Sequence, residues 1–135
     1  MRTISFRGKR IDNGEWIYGY VFKYWEQVFI QWGIANGIPN MVEVNPKTVS
    51  EFTGRYDKNG KYIYEGDVMK SHFSNINILD DIQVVKWNEQ NAAFEAEDLA
   101  NVNDRLGKLH PIWWNRNCEI IGDIYENPNL IKEKK

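Results

Sequence analysis

Two Gly-Asp pairs, Gly66-Asp67 and Gly122-Asp123, each sit at a run of strand-forming residues, with a glutamate close by at Glu65 and Glu126. Carboxylates gathered from neighbouring strands are the hard oxygen ligands that hold Mg2+ or Ca2+, and such ions activate water in many hydrolases. Glu65, Asp67, Asp123 and Glu126 are therefore the residues on which a metal-dependent hydrolase would rest. Neither pair has a Lys or His at the spacing such sites use. An aspartate beside a glycine is also the ordinary way to supply an acceptor to backbone N–H groups at a turn or bulge. The structural role is the expectation, and no metal or cofactor is assigned.

The other chemistry-bearing residues are sparse. His72, His110 and Cys118 would need the fold to bring them together before they could hold a metal, and nothing in their spacing does so. One cysteine leaves no partner for an intrachain disulfide and too few thiolates for a Cys-based zinc cage. Cys118 leads into a strand on the face shared with Ile120 and Ile124, where a small buried hydrophobe is expected rather than a nucleophile. No phosphate-cradling glycine loop, G-x-S-x-G elbow or paired-histidine helix is present. Asp57-Lys58-Asn59-Gly60 begins like a calcium loop but lacks its bidentate glutamate and flanking helices.

Aromatic residues are more prominent, with 6 Trp, 7 Tyr and 6 Phe in 135 residues. The segment 15–24 alternates Trp16, Tyr18, Tyr20 and Phe22 with Ile17, Gly19 and Val21, and is apolar on both faces. A small protein buries two faces of one strand only between sheets or against another chain. Trp16, Tyr18, Tyr20, Phe22 and Trp25 are the candidate interface, with Trp113 and Trp114 as a second contact. Lys+Arg number 17 and Asp+Glu 19, a net charge of −2, which lacks the basic excess of a bulk DNA-binding domain. Lys86, Arg105, Lys108 and Arg116 are the residues a local nucleic-acid-binding patch would use.

These residues must be positioned by short strands and tight turns. Phe6–Lys23 and Phe52–Lys70 repeat one pattern with a single gap: Phe, Gly, Asn-Gly, Ile-Tyr, Gly, Val, Lys. Internal similarity of this kind marks one supersecondary unit used twice, here a strand, an Asn-Gly turn and a strand. Asp12-Asn13-Gly14 and Asp57-Asn59-Gly60 are read as hairpin turns of the type that places both central residues at positive φ. Strands are expected over 15–24, 27–32, 41–44, 67–73, 82–87, 92–97 and 119–125. Asn45-Pro46 should start a helical turn, and 98–106 has helical spacing. "ANGIPN" is expected as a break, "HPIWWNRN" as irregular, and the Lys-rich end as solvated. No apolar run approaches the length of a membrane helix, so a soluble cytoplasmic protein is the expectation.

The combination "FTGRYDKNGKYIYEGDVMK", "VVKWNEQNAAFE" and "CEIIGDIYENPNL" resembles the YopX family of phage and prophage proteins. Its members look like "TGLxDKNGxxIYEGDIV", a later "VxW" strand and a closing "EVIGNIYENPEL". Thr53-Gly54, Asp57 to Gly60, Ile63 to Asp67, Val85 to Trp87 and Ile120 to Pro128 carry the match; "FRGKRIDNGEWIYGYV" and "VNPKTVSEFTG" extend it towards the start of the chain. The chain departs at Asp123, where Asn is common, and in a long variable stretch between Glu97 and Asn117.

The resemblance implies a mainly β fold: an N-terminal β-hairpin subdomain over 1–50, a small SH3-like barrel over 51–128, and a tail over 129–135. It also implies self-association, a place among accessory phage genes in a bacterial host, and no catalytic residue to carry over. The leading expectation is a non-enzymatic homo-oligomeric interaction module without cofactors, with a phage or host protein as a further partner. Nucleic-acid binding and metal-dependent hydrolysis are the alternatives.

Overall fold

A computed structural model describes residues 2–71, 81–98, 109–111 and 118–131. The chain is mostly antiparallel β, with 3-10 turns as the only helical elements among the described residues. Two compact units divide it, Met1–Gly54 and Arg55–Lys135.

The first unit is built on β1 (Phe6–Lys9), β2 (Trp16–Tyr24), β3 (Gln27–Ala35) and β4 (Ile38–Val44), with β5 (Ser50–Tyr56) leaving through Gly54. Their order is β4-β3-β2-β1-β5, with neighbouring strands antiparallel. Val28, Ile30 and Val44 form the buried core, with Phe6, Ile17, Val42 and Val49 packed against it. These residues follow the two-residue period of a pleated strand, so one face of the β2–β3–β4 meander turns to the core. β4 is the edge strand, which is where Pro39 can sit without breaking a ladder.

"ANGIPN" is not a break. Asn36 (φ 55°) and Gly37 (φ 79°) are the two-residue connection between β3 and β4, both in the left-handed region that this hairpin turn requires. The two repeats instead use longer turns. Around Asp12-Asn13-Gly14, Gly14 alone has positive φ, and its N–H donates to Arg10 O at 2.9 Å. Around Asp57, Gly60 N–H donates to Asp57 O at 2.9 Å and Asp57 N–H to Lys61 O at 2.8 Å, a three-residue loop closed by a left-handed glycine. Asn45 does start a 3-10 turn at Pro46–Thr48, its side chain accepting from Lys47 N at 3.0 Å.

In the second unit β6 (Tyr62–Tyr64) follows β5. β7 (Asp67–Ser71), β8 (Asp81–Asn88), β9 (Ala93–Asp98) and β10 (Leu109–Pro111) form a meander, and β11 (Cys118–Asp123) returns to pair with β7. The resulting five-stranded antiparallel sheet has the order β10-β9-β8-β7-β11. Ile63, Met69, Val85, Ala96 and Cys118 form its core, with Phe94 and Ile120 against them. His110 and Pro111, expected in an irregular stretch, belong to β10. Asp98 ends β9; the rest of the expected helix, together with His72, Arg105, Lys108, Trp113, Trp114, Arg116 and the Lys-rich end, lies outside the described residues.

β2 and β3 approach closely at Gly19, where an added Cβ would stand 2.1 Å from the backbone O of Gln31 and 2.9 Å from its carbonyl carbon. Backbone cannot step aside as a flexible side chain can. Gly19→Ala should therefore lower the unfolding free energy in urea by about 1–3 kcal/mol, the usual range for overpacking. Wild-type stability in that variant would show that the strands are not held this close.

Candidate functional site

The four sequence-selected carboxylates do not make a metal centre. Asp67 and Asp123 face each other as register partners on β7 and β11, and both are buried. Each is turned to its own backbone: Asp67 Oδ2 accepts from Tyr64 N at 2.8 Å, and Asp123 Oδ1 accepts from Tyr125 N at 2.9 Å and Glu126 N at 2.8 Å. Among the described residues no group of three or more His, Cys, Asp and Glu side chains is placed to hold an ion. The glycines beside them are equally structural. Gly66 has φ 91°, and its N–H donates to Val85 O while its O accepts from Ile124 N, both at 2.9 Å. A Cβ at Gly122 would stand 2.5 Å from Asn127 Oδ1, the atom that accepts from Asp123 N at 3.1 Å.

Asp57 completes the set. Its Oδ1 accepts from Asn59 N and Lys61 N, both at 2.9 Å, and its Oδ2 from Ile120 N at 3.1 Å. Lys58 N–H donates to Cys118 O at 2.9 Å beside it, so the turn is tied to β11 from both sides. Cys118 is fully buried, and burial, reinforced by the Asp57 charge, pushes its thiol up to about 11. A thiol held in its neutral form is a packing group rather than a nucleophile.

The outward face of the first unit's meander is different. Tyr20, Phe22 and Tyr24 on β2 lie beside Gln31, Phe29 and Gln27 on β3, opposite to the face that carries Val21, Ile30 and Val28. Phe22 stacks on Tyr24 (centroids 6.4 Å apart, 14° between planes) and Tyr24 on Trp25 (5.5 Å, 6°), while Phe22 and Phe29 meet at 6.2 Å. Tyr20 is 62% exposed and Trp25 81%. Tyr24, Met41 and Ile34 belong to this face although the sequence reading did not select them. The two-residue period pointed to Tyr24. Ile34 was hidden by a register shift between Gln31 and Gly33, which changes the strand's alternation. Trp16 is half-buried, with Arg7 Cζ 4.3 Å and Lys9 Nζ 4.8 Å from its ring centroid, so its face is occupied by cations.

Trp25 sits with Glu26 in the two-residue connection between β2 and β3, at φ 59°. Glycine or asparagine suits that conformation; a bulky residue there costs about 1–2 kcal/mol. The fold thus carries a large, strained, exposed indole at a hairpin tip. Lys86, the described member of the proposed basic patch, is ion-paired with Glu97. No helix among the described residues is long and apolar enough to cross a membrane.

These features define a two-unit antiparallel β protein whose buried aspartates serve turns and whose first unit carries a row of exposed rings on one sheet face. The chain belongs to the YopX family: the family's model, described as YopX protein, matches residues 5–132. The crystal structure of protein EF1440 from Enterococcus faecalis is similar over 98% of this chain and 100% of that one, with a TM-score of 0.57 and 19% identity, a likeness of fold. No curated protein matches the chain.

Two outcomes follow from the buried acceptors. Asp57→Ala leaves three backbone N–H groups without their charged acceptor and should lower the unfolding free energy by about 2–4 kcal/mol, with Asp57→Asn intermediate; a denaturant melt reads both. Cys118 should resist a disulfide-exchange reagent at pH 8 in the folded protein and react once it is unfolded. Because its folded pKa lies above the ordinary thiol value, the stability it lends is complete below about pH 9 and falls as pH rises towards 11, by about 2–3 kcal/mol. Melts at pH 8 and 10.5 that agree would contradict this.

Proposed function

We propose that the protein is a non-enzymatic accessory protein of phage or prophage origin, acting in the bacterial cytoplasm by self-association through the outward ring face of β2, β3 and β4. The carrying observation is the size of that face. A fully exposed aromatic side chain presents about 200 Å², and Tyr18, Tyr20, Phe22, Tyr24 and Trp25 are 45% to 81% exposed. Together with Ile34 and Met41, this leaves roughly 800 Å² of largely apolar surface in water, more than a typical monomer carries and close to one side of a standard protein interface. The rings are also short of rotamer freedom, being stacked on one another, so little side-chain entropy is lost when they are covered. Nucleic-acid binding draws less support, because Lys86 is already neutralised by Glu97 and the net charge is negative.

Light scattering coupled to size exclusion tests this reading. The wild-type protein should run as a defined oligomer at micromolar concentration and keep its mass in 0.5 M salt, since apolar contacts are not screened. Tyr20→Glu and Phe22→Glu, both at exposed positions, should disperse it while leaving the melt of the dilute protein nearly unchanged. A wild-type monomer would end the proposal.

A further inference from the structure

We infer that Asn36 is a site of spontaneous backbone modification, where the chain deamidates and isomerises in preference to its two other Asn-Gly sequences. Asn-Gly occurs at Asn13-Gly14, Asn36-Gly37 and Asn59-Gly60. The chemistry is common to all three. The glycine amide nitrogen loses its proton to base and attacks the asparagine side-chain carbonyl carbon, ammonia leaves, and a succinimide ring closes. Water then opens the ring at either carbonyl, giving aspartate or isoaspartate, so that one water is taken up and one ammonia released. Glycine favours the attack because it puts no side chain in the way, and all six residues are exposed. Sequence and exposure therefore do not separate the sites.

Hydrogen bonding does. Gly14 N–H donates to Arg10 O and Gly60 N–H to Asp57 O, both at 2.9 Å, so in these two turns the attacking nitrogen is engaged. At Asn13 the side chain is held as well, its Oδ1 accepting from Glu15 N at 2.9 Å. At Asn59 the loop is pinned on both sides of the reacting pair: Asp57 Oδ1 accepts from Asn59 N and Lys61 N, and Lys58 N–H donates to Cys118 O. Among the described residues nothing accepts from Gly37 N–H, and nothing holds the Asn36 side chain.

Ring closure also requires Asn36 to rotate out of its left-handed conformation, and its turn is placed where that is easiest. The turn joins β3 to the edge strand β4. The bonds that β4 makes across its outer edge, Ile11 N–H to Glu43 O and Asn45 N–H to Lys9 O, lie at its far end. Pro39, two residues beyond Gly37, brings no N–H to the ladder. Local opening of such a tip breaks few contacts, whereas opening the 57–61 turn breaks the three bonds to the Asp57 carboxylate. Isoaspartate is consequential at this position. It adds a methylene to the main chain of a two-residue connection, whose length fixes the register of β3 on β4. Either product also places a new carboxylate close to Ile34 and Ile38, both exposed, at the border of the ring face.

Wild-type protein, kept folded at pH 8 and sampled over days, tests this without any substitution. A protease that cuts after glutamate separates the three sites into peptides 1–15, 27–43 and 52–65. Peptide 27–43 should gain about 1 Da first. Its rate should exceed those of the other two by about tenfold, the slowing expected where a hydrogen bond must break before attack. Fragment spectra should place the gain at Asn36 rather than Asn40, and an isoaspartyl methyltransferase should label that peptide. In urea, where no turn forms, the three peptides should change at similar rates. Equal rates in the folded protein, a faster change at Asn13 or Asn59, or no change at Asn36 would each overturn the inference. So would a difference of the same size in urea, which would trace the preference to the flanking sequence and not to the turn.

Discussion

A chain of short strands has many turns, and each turn leaves backbone N–H groups that no ladder satisfies. In the second unit three buried carboxylates take up that demand. Asp57, Asp67 and Asp123 each accept from the backbone of their own turn, and Asp57 also reaches a distant element, through Ile120 N. That reach matters most. It brings β11 against the 57–61 turn while β11 pairs with β7, so the last strand returns to the first strand of the meander and Cys118 and Ile120 enter the core beside Ile63 and Met69. A buried acceptor with charge is strong because the alternative, an unpaired buried carboxylate, is so unfavourable. Residues that look like chemistry thus hold the unit closed.

The first unit meets a different constraint. Its core is small, with Val28, Ile30 and Val44 buried on one face of a three-stranded meander. The opposite face keeps its rings in water, ordered by stacking along β2 and across to Phe29. At the other end of β2, Trp16 is sheltered beneath Arg7 and Lys9. One strand therefore carries aromatic residues in two conditions: an internal cation–π contact near its start and an exposed ladder towards its tip. The close backbone approach at Gly19 lies between them.

The internal repeat shows how little separates the two uses of one pattern. In the first copy Ile17-Tyr18-Gly19 continues as extended strand. In the second, Ile63-Tyr64 is followed by an added residue, Glu65, and Gly66 then turns through φ 91° before Asp67 opens β7. The insertion converts a nine-residue strand into two short ones and gives Asp67 the N–H of Tyr64 to accept. Here a glycine's sequence context did not reveal its conformation, because extended and left-handed glycines read alike.

The sequence by itself determined the mainly β class, most strands to within a few residues, the Asn45-Pro46 turn and the turn-capping role of the Gly-Asp pairs, since each follows from local chemistry: period two, left-handed tolerance and short polar side chains. It also determined which strand would be apolar on both faces. Only the tertiary structure decided that the two-residue Asn-Gly hairpin is at Asn36-Gly37 rather than in the repeats, because turn length depends on where the flanking strands stop pairing. Only it decided that Met41 joins the ring face, by pairing opposite Gln31, and that Ile34 does so too, since a register shift in β3 beyond Gln31 resets alternation. Likewise, Trp16 and Trp25 have the same residue type on one hairpin. What separates a sheltered ring from an exposed one is the neighbouring strand: β1 brings Arg7 and Lys9 over Trp16, and at Trp25 the chain has already turned back.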